Sequence, residues 1–360
     1  MSGTSLDATD AALILTDGVQ VLEFGPVAER KYSTVERQIL QDATDAARAW
    51  NWTGPAPDDV FEAARRVVTH THAEAWEMLQ EGGGKGVVAT LAGVHGQTVL
   101  HRRSKPGHPG ATLQLIDPLG LQTALGVPLA YDFRTADVAA GGQGAPLAPV
   151  YHGALLERAG DGASAVLNLG GVANITARMA DGTLFAFDTG PANGPIDEWV
   201  EGYGKGTHDV GGAFAAAGRV HEGLLVQLLD HDWFAELPPK SLDRYDFNAS
   251  MARGLSFEDG AATLTAFSAR AVAAGVAQLP DTPERVIVCG GGRHNPSMMA
   301  ALRGALPCAV LSAEDAGWRG DSIEAEAFAF LAARTVRGLP LSWPTTTGVP
   351  AAMTGGRLAG

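Results

Sequence analysis

The sequence predicts an α/β protein whose mixed sheets are flanked by helices, and two patterns carry this prediction. Apolar runs of strand length alternate with longer stretches of helical periodicity in both halves of the chain. Each half also opens on a glycine-rich turn beside apolar runs, at residues 3–7 and again at residues 170–174. A chain of 360 residues can form two domains with cores of ordinary size, so we expect two lobes.

The first half is a series of short elements separated by turns. Two strands pair across Thr16-Asp-Gly18, and the helical stretch that follows is interrupted near Pro55 and Pro57. Residues 137–146 are too rich in glycine for regular structure. The predicted strands are 10–15, 19–24, 87–94, 113–116 and 128–133, and the predicted helices lie within 34–80, at 118–125 and at 147–158.

The second half repeats this alternation, and its similar opening hints at an old duplication. The glycine-rich segment 158–163 is the best candidate boundary, which gives an N-terminal lobe at 1–160 and a C-terminal lobe at 161–360. The predicted strands are 164–169, 173–178, 183–187 and 285–289, and the predicted helices are 194–202, 210–217, 219–230, 261–279, one from 296, and 322–336.

Composition excludes several classes of protein. Hydrophobic residues make up 46% of the chain and charged residues 18%, as in ordinary globular proteins. The net charge of −14 argues against a nucleic-acid partner, because phosphate backbones require a basic surface. Two cysteines without close spacing favour a reducing compartment. No signal peptide and no long apolar run is apparent, so we expect a soluble cytoplasmic protein without a membrane partner.

The two glycine-rich turns indicate a bound phosphate chain, because such turns let backbone N–H groups approach an anion closely. In the first turn, Thr4 and Ser5 are candidates for phosphate oxygens and Asp7 for a hydrated metal ion. A simple N-terminal turn is the alternative. Met1 falls directly on this turn, so the strand that would complete a hairpin is missing; we expect either a fold without it or a gene start assigned too late.

Three polar residues follow apolar strands, where open α/β sheets present side chains to ligands. His95 could donate to a sugar oxygen or a carboxylate, or be structural. Arg134 could bind a substrate carboxylate through its planar fork, or pair with Asp132 or Asp137. Asp188 ends an apolar strand and could act as a general base, or cap the next helix, where Asp197 is a competing base.

Two further segments are candidates. Gly290, Gly291 and Gly292 follow a buried strand and would let a flat base or ribose lie against the backbone, while Asn295 could cap the next helix. The spacing is not that of a dinucleotide-binding turn. Glu324 begins the last helix, where an acid is also favoured by the helix dipole alone.

Together these segments resemble the anhydro-N-acetylmuramic acid kinase family, in the superfamily of sugar kinases, heat-shock chaperones and actin. The resemblance runs over nearly the whole chain. It rests on the segments MSGTSLD, HGQTV, DFRTADVAAGGQGAPLAP, NLGGVANIT, FDTGPAN, KSLDRYDFN, CGGGRHN and IEAEAFAFLA. Two features depart from the pattern: the strand before the first turn is missing, and Ala8 replaces the glycine that usually follows Asp7.

The resemblance implies two ribonuclease-H-like lobes of mixed sheet, with an interlobe cleft, as in actin-like ATPases. It implies an enzyme that uses ATP, Mg²⁺ and water to open 1,6-anhydro-N-acetylmuramic acid and to phosphorylate its 6-oxygen in cell-wall recycling, and it implies a homodimer. An ordinary sugar kinase and a non-catalytic ATP-responsive regulator are the alternatives. The implied base is Asp188, the implied metal ligand is Asp7, and the implied sugar contacts are His95, Arg134 and Glu324. The implied nucleotide contacts are Gly3, Thr4, Ser5, Leu6, Asp7, Ala8, Thr9, Asp10, Gly170, Gly171, Gly290, Gly291, Gly292 and Asn295.

Overall fold

A computed structural model describes residues 1–3, 6–82, 88–104, 109–160, 162–242 and 246–360. These residues form two units. The first unit combines Met1–Arg158 with Ser322–Gly360, and the second unit is Ala159–Asp321. The predicted α/β class with mixed sheets is confirmed.

The first unit contains seven of the described strands and six of the described helices, grouped around small sheets rather than one large sheet. The strands are β1 Ala8–Thr16, β2 Val21–Lys31, β3 Ala92–Gly93, β4 Gln97–Arg102, β5 Ala111–Leu115, β6 Leu129–Tyr131 and β12 Arg357–Leu358. The helices are α1 Thr34–Trp50, α2 Asp58–Gly82, α3 Pro118–Leu125, α4 Thr135–Ala139, α5 Pro149–Ala159 (whose last residue is in the second unit) and α11 Ile323–Val336.

Three sheets share this unit. β1 pairs antiparallel with β2, β4 pairs antiparallel with β5, and β6 lies between β12 and β3. Helices α1 and α2 pack against the β4–β5 hairpin through an apolar cluster that includes Leu40, Phe61 and Leu115. Helix α11 packs against β1, β3 and β6.

The second unit is built on one five-stranded sheet with the order β11-β10-β7-β8-β9. The first three strands along the chain form an antiparallel meander, and β10 and β11 run parallel to β7. The strands are β7 Ser164–Leu169, β8 Val172–Arg178, β9 Leu184–Pro191, β10 Arg285–Cys289 and β11 Ala309–Ser312. The helices are α6 Asn193–Gly202, α7 Ala213–Ala217, α8 Glu222–Leu229, α9 Phe257–Val276 and α10 Pro296–Ala305.

The core of the second unit lies between this sheet and α9. The buried side chains of β7, β8 and β10 face the buried side chains of α9, which is enclosed along most of its length. Gly260 in α9 lets α6 approach α9 closely, because a Cβ at that position would lie 2.3 Å from the ring of Trp199 in α6. This packing fixes α6, the helix that directly follows the candidate base.

Most predicted elements are confirmed, and local signals explain their ends. Helix α1 begins at a capping box formed by Ser33 and Glu36 and ends at Asn51 in the left-handed conformation. Helix α3 coincides with the predicted 118–125, with Asp117 as its N-cap and Gly126 as its C-cap. The predicted strand 87–94 is reduced to β3, and residue 87 lies outside the described residues. Strands β4, β11 and β12 are additional to the predicted elements.

The division into units differs from the predicted lobes at the C-terminus. The predicted boundary between residues 160 and 161 lies close to the observed one between 158 and 159. Residues 322–360, placed in the C-terminal lobe by the sequence, belong instead to the first unit. The reason is the packing of α11 on β1 and the pairing of β12 with β6, neither of which has a local sequence signal.

In the described part of the chain, no helix combines the length and the apolar character that a membrane crossing requires.

Candidate active site

The first glycine-rich turn lies in the first unit and is only partly described. Thr4 and Ser5 lie outside the described residues. The side chains of Leu6 and Ala8 are buried, and the Thr9 hydroxyl is 2.9 Å from Tyr32 Oη and 3.1 Å from Thr71 Oγ1. These side chains hold the turn against the core, so a phosphate could meet only their backbone atoms.

Charged groups of the turn lie close to one another. The amino group of Met1 donates to the Asp10 carbonyl at 2.6 Å, and the Asp10 N–H donates back to the Met1 carbonyl at 2.8 Å. Burial lowers the pKa of the Met1 ammonium to about 6 and raises the pKa of the Asp10 carboxyl to about 6. Asp7 is exposed, and its Oδ1 accepts the N–H of Ala8 at 2.9 Å.

The acidic residues of this turn suit a metal ion that arrives with a nucleotide. Among the described residues, no three His, Cys, Asp or Glu side chains are grouped so as to hold a metal ion. Magnesium is commonly bound by one or two carboxylates together with phosphate oxygens and water. The exposed carboxylate of Asp7 therefore fits Mg²⁺ coordinated mainly by phosphates.

His95 and Arg134 are brought together in the first unit. The Arg134 Nε–H donates to His95 Nε2 at 2.8 Å, and Arg134 Nη1 donates to the Gly144 carbonyl at 2.6 Å. His95 Nδ1 lies 2.8 Å from the Gly96 carbonyl, so Nδ1 carries the proton and the ring is neutral. Burial, and then the Arg134 charge, hold the pKa of His95 well below its usual range.

This geometry changes the expected role of His95. Both ring nitrogens already have protein partners, so the imidazole has no N–H left for a sugar and instead orients Arg134. The guanidinium forms no ion pair with Asp132, which pairs with Arg357 at 3.2 Å, nor with Asp137. Among the described residues, Nη2 of Arg134 has no hydrogen-bond partner. Desolvation lowers the pKa of Arg134 only to about 10, so the side chain stays charged at neutral pH.

Glu324 begins α11 in the same unit and is open to solvent. Partial desolvation raises the pKa of its carboxyl, while Arg134 and the Met1 ammonium act in the opposite direction. Arg134, His95, Glu324 and Asp10 are therefore neighbours that share one electrostatic environment. The structure brings the predicted sugar contacts together with the predicted first phosphate turn.

Two residues that were not predicted to be site residues organise this region. Asp137 is buried and accepts from Gly144 N–H at 2.6 Å, from Ser342 Oγ at 2.5 Å and from Thr347 Oγ1 at 2.6 Å. It thereby fixes the loop whose Gly144 carbonyl holds Arg134. Gln97 is 1% exposed and donates to the Gly3 carbonyl at 3.2 Å. Their positions beside His95 and Arg134 in the sequence were the available signal.

Asp188 lies in the second unit, within β9 rather than at its end. Its backbone N–H donates to the Lys240 carbonyl at 2.9 Å, and its Oδ2 accepts the Leu242 N–H at 2.7 Å. Helix α6 begins five residues later, at Asn193, with Ala192 as its N-cap. The alternative that Asp188 is a helix cap is therefore wrong, because another residue occupies that position.

Lys240 anchors the segment that holds Asp188, and the sequence did not identify it. Its side chain is 5% exposed and its Nζ donates to the carbonyls of Trp233 and Phe234, each at 3.2 Å. The ammonium also lies 4.3 Å from the centre of the Trp233 ring. Desolvation lowers the pKa of Lys240. Lys240 thereby anchors the backbone segment whose Lys240 carbonyl and Leu242 N–H contact Asp188.

The second glycine-rich turn connects β7 to β8. The Gly170 carbonyl accepts from Asn193 N–H at 3.0 Å, and the Gly171 carbonyl accepts from Ala192 at 3.0 Å and from Gly194 at 3.1 Å. These bonds use the first N–H groups of α6, and within the turn the Gly170 N–H donates to the Val172 carbonyl at 3.3 Å. A Cβ at Gly171 would have nothing within 4 Å, which leaves room for a ligand there.

The third glycine-rich segment follows β10 and borders a cavity of about 300 Å³. Gly291, Gly292 and Asn295 line it together with Asp197, as do Asn193, Ile196, His208, Asp209, Gly211 and His294. Asn295 caps α10, because its Oδ1 accepts Met298 N–H at 3.1 Å. Burial, with Glu201 and Asp209 adding to it, raises the pKa of Asp197 to about 7.

The three glycines have different structural roles. Gly290 has φ of +76°, and a Cβ there would lie 2.4 Å from Asn168 Oδ1 and 2.7 Å from the Leu169 carbonyl. A Cβ at Gly292 would lie 2.6 Å from Leu169 Cβ, whereas one at Gly291 would have nothing within 4 Å. Gly290 and Gly292 are therefore needed for close packing, and Gly291 faces open space.

Gly290→Ala should lower the free energy of unfolding by about 1–3 kcal/mol, because it combines left-handed strain with contacts to rigid backbone. Gly291→Ala is the matched control, and it should stay within about 0.5 kcal/mol of the parent. Urea unfolding of the three proteins measures both values. Equal stabilities of the two variants would contradict the packing role of Gly290.

Comparisons with known proteins give the family of the chain. The model of the family described as anhydro-N-acetylmuramic acid kinase matches residues 1–359. The anhydro-N-acetylmuramic acid kinase of Caulobacter vibrioides is 54% identical, over 100% of this chain and 97% of that protein. The protein of the same name from Rhizobium rhizogenes is 51% identical with the same coverage. A solved structure, (R)-2-hydroxyglutaryl-CoA dehydratase component A of Acidaminococcus fermentans, overlays at 13% identity with a TM-score of 0.42, over 92% of this chain and 95% of that chain. The chain belongs to the anhydro-N-acetylmuramic acid kinase family.

Proposed function

We propose that the protein is an ATP-dependent kinase that opens 1,6-anhydro-N-acetylmuramic acid with water and phosphorylates its 6-oxygen. The products are N-acetylmuramic acid 6-phosphate and ADP, and the reaction serves peptidoglycan recycling and amino sugar catabolism. The full-length family match carries this proposal. The candidate site supports it, because Asp188, the proposed base, and Arg134, the proposed carboxylate ligand, are held by specific contacts.

Asp188 is the proposed general base. Its carboxylate takes a proton from a water molecule, and the water oxygen forms a bond to the anomeric carbon while the bond from that carbon to the 6-oxygen breaks. The 6-oxygen then forms a bond to the γ-phosphorus of ATP as the bond to ADP breaks. The Leu242 N–H fixes the orientation of the carboxylate, and a positioned base typically contributes about 10²–10⁴-fold.

ATP binding is assigned to glycine-rich backbone in both units. In the first unit the turn at residues 3–10 would meet the phosphates, with Asp7 as the protein ligand of Mg²⁺. Bound Mg²⁺ would neutralise charge on the phosphates, which is a large part of catalysis in phosphoryl transfer. In the second unit, Gly170 and Gly171 would contact phosphates, and the cavity beside Gly291 and Asn295 would take the adenosine.

The sugar would be recognised in the first unit through its carboxylate. The guanidinium of Arg134 is charged, is oriented by His95, and keeps one terminal nitrogen without a partner among the described residues. A planar guanidinium binds a carboxylate with two parallel hydrogen bonds. The carboxylate of Glu324, which lies near Arg134, would then accept a hydrogen bond from a sugar hydroxyl. We further infer a homodimer in the cytoplasm from the family resemblance.

The oxygen source tests the proposal. Incubation with ATP, Mg²⁺ and the anhydro sugar in ¹⁸O-labelled water should place the label at the anomeric carbon of the product and not in its phosphate. Mass spectrometry of the product and of its dephosphorylated form locates the label. A phosphorylated product that retains the bicyclic ether, or that carries the label in phosphate, would contradict the proposal. ATP turnover without any anhydro sugar would favour a regulator instead.

A further inference from the structure

The third glycine-rich segment contains a buried cation that the proposed reaction does not use. The side chain of Arg293 is only 1% exposed, so its charge has to be balanced by protein groups. The described residues that line the nearby cavity do not include Arg293, although they include its neighbours Gly291, Gly292, His294 and Asn295. Arg293 therefore points away from the cavity and into the protein.

All three nitrogens of the Arg293 guanidinium are bound. Nη1 donates to the Gly290 carbonyl at 3.0 Å, and Nε donates to Glu314 Oε1 at 2.9 Å. Nη2 lies 2.8 Å from Asp321 Oδ2. Because Asp321 is the last residue of the second unit, all of these contacts lie within that unit. The planar guanidinium thus ties the first glycine of the segment to two carboxylates that follow β11 in the chain.

These ion pairs keep Arg293 charged in spite of its burial. Desolvation acts to lower the pKa of Arg293, but Asp321 and Glu314 together raise it above its ordinary value. Arg293 in turn lowers the pKa of Asp321 by hydrogen bonding to its carboxylate. The side chains of Glu314 and Asp321 are 50% and 80% exposed, so the guanidinium is the enclosed member of both pairs.

The backbone around Arg293 is closely fitted to its side chain. The Gly290 carbonyl accepts the Arg293 N–H at 3.2 Å as well as Nη1, which closes a tight turn. A Cβ at Gly320 would lie 2.4 Å from Arg293 Nε, so glycine lets that segment approach the guanidinium closely. Glycine populates more backbone conformations than any other residue, so residues 290–292 need such a constraint to hold a single conformation.

We propose that Arg293 is a positioning residue for nucleotide binding, because it holds residues 290–292 in the conformation that the adenosine meets. The inference rests on the proposed function, which places the adenosine in the cavity beside Gly291. Without the guanidinium, the segment would adopt its binding-competent conformation for only a fraction of the time. The affinity for nucleotide would then fall in proportion to that fraction.

Hydrogen exchange without ligand tests the positioning directly. In Arg293→Lys, which keeps a charge and loses the planar fork, residues 290–295 should exchange at least about tenfold faster than in the parent protein. Residues 285–289 of β10 should exchange at the parent's rate, because the core of the unit is unchanged. Equal exchange of residues 290–295 in both proteins would overturn the proposal. Equal acceleration in β10 would also overturn it, since that result means a general loss of stability.

ATP titration by calorimetry and steady-state kinetics test the role in nucleotide binding. Arg293→Lys should raise Kd and KM for ATP by roughly tenfold, which corresponds to a competent fraction of about one tenth. The values of kcat and of KM for the anhydro sugar should stay within about twofold of the parent's. Faster exchange with an unchanged Kd for ATP would overturn the proposal. A parent protein that binds ATP without turning over the anhydro sugar contradicts the proposed function alone, whereas one that does not bind ATP contradicts both.

Two further variants complete the test. Asp321→Asn changes an exposed partner of Arg293, so it should fold and should speed exchange of residues 290–295 by a smaller factor. If Arg293→Lys does not fold, unchanged exchange in Asp321→Asn overturns the proposal. Arg270→Lys is the matched control, because Arg270 pairs with Glu222 at 2.8 Å on the surface of the same unit. It should keep the parent's exchange and ATP affinity, and an effect equal to that of Arg293→Lys would show that the contacts of Arg293 have no specific role.

Discussion

Asp188→Asn should lower kcat for the anhydro sugar by at least about 10²-fold, because the amide cannot take the proton from water. The substitution keeps the size of the side chain, and an asparagine oxygen can still accept the Leu242 N–H that Asp188 accepts at 2.7 Å. The fold and ATP binding should therefore be preserved. Steady-state kinetics give the loss, and ATP titration by calorimetry shows whether the variant still binds nucleotide.

Asp197→Asn is the comparison variant, since Asp197 follows closely after Asp188, on α6, and has a pKa raised to about 7. A pKa near the working pH suits a general base, so this carboxyl is a serious competitor. In the structure it lines the cavity with Gly291 and Asn295, and we expect it to affect ATP affinity more than kcat. A full loss of kcat in Asp197→Asn, with activity retained in Asp188→Asn, would transfer the role of base to Asp197.

Asp188 could be predicted from the sequence as the candidate base, but the contacts that hold it in place could not. An apolar strand followed by Gly190-Pro191 placed a carboxylate near a turn, and β9 does contain Asp188. The Leu242 N–H that binds the Asp188 carboxylate belongs to a segment about fifty residues later in the chain. This segment is held in place by Lys240, which packs on the Trp233 ring and donates to the Trp233 carbonyl. Only tertiary structure brings these residues to β9, and no local periodicity reports it.

The fold shows the same division between local and long-range signals. Helices α1 and α2 were predictable because caps and prolines mark their ends. Strand β4, Gln97–Arg102, was not predicted, and its pairing with β5 carries a register shift that no local pattern indicates. The pairing of β12 with β6 and the packing of α11 join residues far apart in the chain. Such contacts decide which unit a terminal segment joins. From the sequence alone, residues 322–360 were assigned to the lobe that directly precedes them in the chain.

The hydrogen-bond partners of His95 could not be predicted from its place in the sequence. The sequence placed it at a ligand-facing strand end, and the structure puts it beside Arg134. Its two nitrogens contact the Arg134 guanidinium and the Gly96 carbonyl, and the first of these contacts orients the guanidinium. A sequence pattern can place a side chain at a site, but the direction of its hydrogen bonds requires the geometry of its neighbours.

Arg134→Leu should lower kcat/KM for the anhydro sugar by roughly 10- to 100-fold, because a hydrogen bond to a charged group contributes about 1.5–3 kcal/mol. Most of the change should appear in KM, since the carboxylate lies away from the bonds that break. Arg134→Lys keeps the charge and loses the planar fork, so it should recover only part of the loss. Kinetics with the anhydro sugar measure all three proteins.

Arg134 also donates to the Gly144 carbonyl at 2.6 Å, so its loss could act through the structure of the loop. A second substrate separates this effect from the loss of carboxylate binding. The analogue is the same anhydro sugar without its carboxylate-bearing lactyl ether. The parent protein should prefer the natural sugar strongly, and Arg134→Leu should remove most of that preference while acting on the analogue much as the parent does. If the variant loses activity equally on both sugars, Arg134 acts by holding the 137–146 loop in place, and the carboxylate is bound by another residue.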